Sequence, residues 1–577
     1  MDLAVGFPST TRDDWRALAL GVLRKSGVEA DSPELALSTP TYDGVTLAPL
    51  YDAADLPGSP PFARGARTST GWDVRQRHAV ADPEAVLADL DNGVTSLWLV
   101  AGAGAIPVSE LPRVLEGVYL DLAPVMLDAG ADTARAAEIL LALAAERGTP
   151  LSGNLGAGAS QPDVAVSLAR RCAAEFPGLR AITVDATPYH DAGGSDADEL
   201  GCSIALAVGH LRALTAAGLT VEQALGQLEF RYAATADQFA TIAKLRAARK
   251  LWARVAEACG GRSGQLQHAV TSSAMMTSRD PYVNMLRTTL ACFAAGVGGA
   301  DAVTVQPFDA RAGLPDAFSR RIARNTQALL LEESGVGRAI DPAGGSWYVE
   351  RRTADLAGRA WAWFQEIEAA GGVEAAGSLV AERIAATRER RAGDIAHRRF
   401  PITGVSEFPD LGEKPLRRPA VPAAPAASEG PVPALPRIHY AEEYERLRDL
   451  ADARPERPKV FLATIGPVAT HTARASFAAN LFQAGGLATE TAGPGTDPEQ
   501  IATAFAVSGA TVACLCSSDR LYAQHAEAVA AALRRAGARR VWLAGKGDYD
   551  GVDAYLHAGC DVLDVLRTTF DDLEVAR

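Results

Sequence analysis

The chain holds 577 residues with a mass of 60.3 kDa, several times the usual ~100–150-residue domain, so two or more domains and a large buried core are expected. Hydrophobic residues at 48% and charged residues at 22% exclude a disordered or fibrous chain. The 70 acidic against 56 basic side chains leave a formal net charge of -14, which disfavours nucleic acid or an anionic membrane surface as the main partner.

The amino terminus, Met1 to Arg12, shows no basic stretch followed by an apolar run, and no window of ~20 residues is uniformly apolar, so neither a signal peptide nor a membrane span is expected. Short apolar runs follow: Val94–Val100, Val118–Leu122, Ala181–Asp185, Gln227–Tyr232, His268–Thr271 and Asp301–Val305. They alternate with helical stretches such as Asp237–Cys259, Pro281–Ala295 and Pro315–Glu333. Strand and helix alternating in this way predict a parallel sheet covered by helices. A block of roughly 350 residues suits a TIM-type (β/α)8 barrel with insertions, with an open doubly wound sheet as the runner-up.

Pro and Ala then recur between Phe400 and Arg437; proline removes backbone donors and extends its neighbours, so this stretch reads as a linker. The Glu- and Arg-rich stretch Tyr440–Ala453 reads as a solvated amphipathic helix. From about Lys459 the strand-helix grammar returns in Val460–Thr464, a helix from His471, Thr511–Cys516, a helix from Arg520, Val541–Gly545 and an apolar run at Val562. This fits a flavodoxin-like doubly wound domain, whose ligands bind beyond the carboxyl ends of its strands, in the loops after Thr464, Cys516 and Ala544. The domain expectation is therefore a helical segment at 1–40, a barrel at 41–399, linker and helix at 400–457, and the sheet domain at 458–577. Of the seven cysteines only Cys514 and Cys516 lie close together, and no C-x-x-C spacing occurs. Reduced thiols, no metal site and a cytoplasmic location follow.

Several segments resemble the methylmalonyl-CoA mutase family, which joins an acyl-CoA-binding barrel to a carboxyl-terminal cobalamin domain. The most specific is Thr271–Thr289 (TSSAMMTSRDPYVNMLRTT), followed by Gly298–Asp301 (GGAD), Leu314-Pro315, Arg321–Gln327 (RIARNTQ) and Asp341–Glu350 (DPAGGSWYVE). Near the start, Thr41–Tyr51 (TYDGVTLAPLY) matches too, and Pro60–Gly65 (PPFARG) resembles the segment threaded along the acyl-CoA.

Carried over position by position, the resemblance implies lost chemistry. Where active members place a tyrosine at the reacting centre, the segment Gly71–Arg77 ends in Arg77. The Tyr-His pair that binds the thioester carbonyl falls, without gaps, on Thr187 and Pro188, which leaves His190 beside the site. An arginine two residues before the histidine matched by His268 is replaced by Leu266. In the cobalamin motif D-x-H-x-x-G the histidine matches His471, while aspartate becomes Ala469 and glycine becomes Arg474; a cobalt ligand without its carboxylate is a poor one. Ser517, Ser518 and Gly545 partly keep the later cofactor loops, and Lys546 reads as a solvated loop lysine.

A retained fold with both centres stripped resembles the non-catalytic small subunit of a heterodimeric mutase. Its large partner would hold adenosylcobalamin and the acyl-CoA, and would interconvert methylmalonyl-CoA and succinyl-CoA. The 1–40 segment is then expected to contact that partner, and the barrel axis to be filled by larger side chains. Two alternatives are a self-sufficient cobalamin mutase for another acyl-CoA, and an acyl-CoA-binding regulatory module using Arg64 in Pro60–Gly65.

Overall fold

Eight short strands, each buried along most of its length, close on themselves: β1 (Asp73–His78), β2 (Ser96–Val100), β3 (Val125–Asp128), β4 (Gly153–Ala157), β5 (Leu179–Asp185), β6 (Leu228–Ala234), β7 (Gln267–Thr271) and β8 (Ala302–Thr304). In this computed structural model, which describes residues 10–58, 71–421 and 435–575, neighbouring strands are parallel and β8 pairs with both β7 and β1. The result is a closed barrel wrapped by helices, a TIM-type arrangement. Helix Asp196–Ala216 starts with a reciprocal cap between Ser195 and Asp198, and its first turn is acidic, as the helix dipole favours. It packs against helices Gln238–Ala258 and Trp347–Ala369 in an outer layer.

Two differences from the sequence expectation have plain causes. Val118–Leu122 is a turn and not a strand: Tyr119 and Leu122 face solvent, and Leu122 and Ala123 both donate to the Tyr119 carbonyl. The strand forms later, at β3, just past Pro124. β4 was invisible because glycine has low strand propensity. A Cβ at Gly153 would stand 2.1 Å from the Val125 carbonyl oxygen, and one at Gly156 would stand 2.0 Å from that of Leu127.

A second parallel sheet comprises β9 (Lys459–Thr464), β10 (Ala488–Thr491), β11 (Val512–Cys516), β12 (Arg540–Ala544) and β13 (Ala554–Leu556). Its order, β10-β9-β11-β12-β13, is that of a flavodoxin-like sheet. Apolar clusters fill both of its faces, and one of them includes Ile395 from the end of the barrel segment and Ile402 and Val405 from the start of the linker.

The helix Glu442–Asp452 is not solvated as its composition suggested. Tyr444, Glu445, Leu447, Arg448 and Ala451 are buried. Glu445 accepts the backbone N–H groups of Ser278 and Arg279 beyond β7, and Arg448 pairs with Glu413. The helix is a bracket between barrel and sheet domain, with Glu445 and Arg448 paired inward. The described part of the linker is also docked: Leu314 donates to the Pro419 carbonyl, Ile438 to that of Asp191 and Tyr440 to that of Ala274. These contacts lie beyond the carboxyl ends of β8, β5 and β7, so the connecting segment runs along that mouth of the barrel.

Candidate functional site

Period-two alternation sends Arg75 and Arg77 of β1, Trp98 of β2, Met126 and Asp128 of β3, and Asn154 of β4 into the barrel. Opposite them stand Asp185 of β5, Glu229 and Arg231 of β6, and His268 of β7. Arg75 reaches Glu229 at 2.6 Å, and Asn154 donates to the other oxygen of that carboxylate at 3.3 Å. Arg231 pairs with Asp185 at 2.9 Å and Asp128 at 3.4 Å, and its guanidinium stacks 4.1 Å from the Trp98 ring centre. His268 is fully enclosed; its Nε2 meets Thr304 Oγ1 at 2.8 Å and its Nδ1 accepts from Arg231 at 3.4 Å. Burial, reinforced by the charges of Arg75 and Arg231, holds it neutral. The axis is therefore occupied by paired charges and aromatic bulk. An acyl chain entering it would have to break ion pairs that are costly to leave uncompensated.

The positions singled out in the sequence are distributed around this plug. Arg77 stands near the carboxyl end of β1, solvent-accessible, 5.4 Å from the Trp98 ring centre. Thr187 and Pro188 follow β5 at the same mouth: Thr187 Oγ1 donates to Asp185 at 2.6 Å, and Pro188 is exposed. His190 turns away behind the barrel wall, where Nε2 lies 2.6 Å from Ser272 Oγ and Nδ1 4.0 Å from Glu199. Burial, with the nearby Lys244 charge, lowers it to about 3, so it is neutral. Leu266 precedes β7 at the amino end, half-buried, with its carbonyl accepting from Phe230; it does not share the mouth with Arg77 and Thr187. Pro60–Gly65 and Arg64 lie outside the described residues.

In the sheet domain His471 lies in the first turns of helix Val468–Ala484, buried, and its Nδ1 has no hydrogen-bond partner among the described residues. Ala469, two residues earlier, is exposed and offers no carboxylate. Arg474 pairs with Asp519 at 2.6 Å and stacks 5.1 Å from the Tyr522 ring centre. A Cβ placed on Gly545, whose φ is +146°, would meet the Arg474 guanidinium at 2.6 Å. The altered position Arg474 thus packs against the retained Gly545 of the later cofactor loop. Ser517 donates inward to the Ile465 carbonyl at 2.7 Å, and its N–H donates to the Tyr522 hydroxyl at 2.7 Å. That hydroxyl in turn donates to the Ala544 carbonyl at 2.8 Å. The edge where a cofactor tail would enter is stitched shut, and these residues do not fit a cobalamin. Among the described residues no cluster of side chains could hold a metal ion, and no helix is long and apolar enough to cross a membrane.

Sequence reasoning missed Arg75, Trp98, Glu229, Arg231 and Tyr522. The signal was present in two strands, where Arg75 and Arg77, and Glu229 and Arg231, recur at spacing two among residues that the fold buries.

A family model described as methylmalonyl-CoA mutase matches residues 159–429. A chain from Streptomyces virginiae named methylmalonyl-CoA mutase small subunit is 56% identical, across 100% of this chain and 99% of its own length. The chain belongs to the methylmalonyl-CoA mutase family. Another small subunit, from Propionibacterium freudenreichii subsp. shermanii, is 38% identical over 100% of this chain and 97% of its own. A chain from Cereibacter sphaeroides named simply methylmalonyl-CoA mutase is 29% identical over 70% of this chain and 65% of its own. Family membership places the chain with isomerases that use cobalamin.

Proposed function

We propose that this chain is the non-catalytic half of a heterodimeric methylmalonyl-CoA mutase. Its large partner subunit holds adenosylcobalamin and the acyl-CoA and interconverts methylmalonyl-CoA and succinyl-CoA. The observation that carries this reading is the barrel axis, packed with the Arg75–Glu229 pair and with Arg231 between Asp128 and Asp185. The closure of the second domain's edge by Arg474 supports it independently.

The 1–40 segment contributes to the partner interface. Helix Arg12–Lys25 has no buried residue, and Leu18, Val22 and Leu35 are exposed in this segment; such apolar exposure marks an association surface. An obligate pair of this kind buries more than ~2,000 Å². The domain limits read from the sequence, 41–399 for the barrel and 458–577 for the sheet domain, belong to this proposal, with linker and helix at 400–457 between them.

The test is to express the chain alone, the large subunit alone and both together, and to assay mutase turnover. Activity confined to the pair is expected. Turnover by the lone chain would instead favour a self-sufficient mutase.

A further inference from the structure

Away from both degenerate centres, a cavity of about 270 Å³ opens on the outer helix layer, between helix Asp196–Ala216 and the turn that ends helix Trp347–Ala369. Its walls are small or apolar, among them Ala205, Leu206, Gly209, Gly372 and Val373. His210 lines it, 8% exposed, and neither ring nitrogen has a hydrogen-bond partner among the described residues. Its nitrogens are not sealed among protein atoms, so they are open to a ligand or water. Burial lowers the imidazole to about 4, leaving one N–H donor and one acceptor nitrogen at neutral pH.

Gly209 sharpens the case. It sits inside a helix, where glycine is unfavourable relative to alanine, yet a Cβ there would meet nothing within 4 Å. No neighbour requires the glycine, so a larger side chain there has room to extend over the cavity that it lines. At the rim Arg212 is neutralised by Glu368 at 2.5 Å, and Glu374 adds a further carboxylate. An anion is therefore disfavoured, and the volume, below the ~300–1,000 Å³ of drug-sized pockets, suits a single or fused ring.

We propose that this cavity binds an uncharged, nitrogen-bearing aromatic ring that hydrogen-bonds the imidazole of His210. The test is ligand-detected saturation-transfer NMR on the full chain, with adenine as the probe and benzoate as an anionic ring of similar size. Saturable adenine binding is expected, with no competition from benzoate. Gly209→Leu, which fills the cavity, abolishes binding while unfolding no earlier on heating than the unmodified chain. His210→Phe keeps the shape and weakens binding by about tenfold, the worth of one hydrogen bond; should the leucine variant fail to fold, this variant decides alone. No saturable binding, binding unchanged in either folded variant, or equal binding of benzoate would overturn the proposal. Displacement of adenine by the large subunit would also overturn it, making the cavity a socket for a side chain of that partner.

Discussion

The barrel axis and the carboxyl edge of the sheet domain have both closed their ligand space, by different physical means. In the barrel, charges from strands far apart in sequence neutralise one another: Arg75 and Glu229 are both buried, and buried Arg231 pairs with Asp128 and Asp185, which stay partly exposed. At the sheet edge one side chain, Arg474, lies over Gly545 and is braced by Asp519, whose side chain is 75% exposed. Buried ions carry a desolvation penalty of several kcal/mol each and hold only as a complete set, whereas a solvated pair is worth ~0–1 kcal/mol. The barrel axis is therefore closed by a coupled set, in which the loss of one member is costly. The edge is covered by a largely solvated pair, over hydrogen bonds from Ser517 and Tyr522.

Substitutions can break this contrast. The largest effect is expected for Glu229→Ala, which strands Arg75 and Asn154 inside the barrel and costs ~3–5 kcal/mol, read by urea unfolding. A loss below ~1 kcal/mol, the range of an exposed pair, would mean that the axis is wetter and looser than described. Next comes Glu445→Ala in the bracket helix, which leaves the Ser278 and Arg279 amides without their acceptor and costs ~1–3 kcal/mol. Because those bonds join the two domains, limited proteolysis should cut between them sooner, with the barrel unfolding little altered.

Acid sensitivity is expected on the barrel side. Burial lowers His190 to about 3 in the folded chain, against ~6.5 when unfolded. Below pH ~6.5 the unfolded chain takes up a proton that the folded chain refuses, so this contribution to stability is complete above that pH and declines on acidification. The decline is ~1.4 kcal/mol per pH unit until the folded value near 3 is reached. His190→Gln should lessen that slope by one proton's share in unfolding curves taken across the window; an unchanged slope would show that His190 is not held neutral. The smallest effect belongs to Arg474→Ala, at ~1 kcal/mol or less. A loss comparable to that of Glu229→Ala would mean that the edge is closed no less firmly than the axis.

The fold was largely legible because strand-helix alternation and the proline-rich break are local signals. β4 was not, since packing against the Val125 and Leu127 carbonyls selects glycine and erases the strand signature. The bracket helix was misread for a related reason: Glu445 and Arg448 look solvated until the partners that bury them, Ser278 and Glu413, are brought together by the fold. Motif positions such as Arg77, Thr187, Pro188 and Arg474 could be located in sequence. The occupied axis could not, because Arg75 and Glu229 stand 154 residues apart and only barrel closure joins them.

The central claim, that this chain keeps the mutase volume without its cofactor chemistry, is tested most directly by titrating adenosylcobalamin into the isolated chain and into the chain paired with its large subunit, following the cobalt absorption spectrum. The account predicts no spectral change with the isolated chain and a saturable change with the pair. Stoichiometric binding by the isolated chain would contradict it.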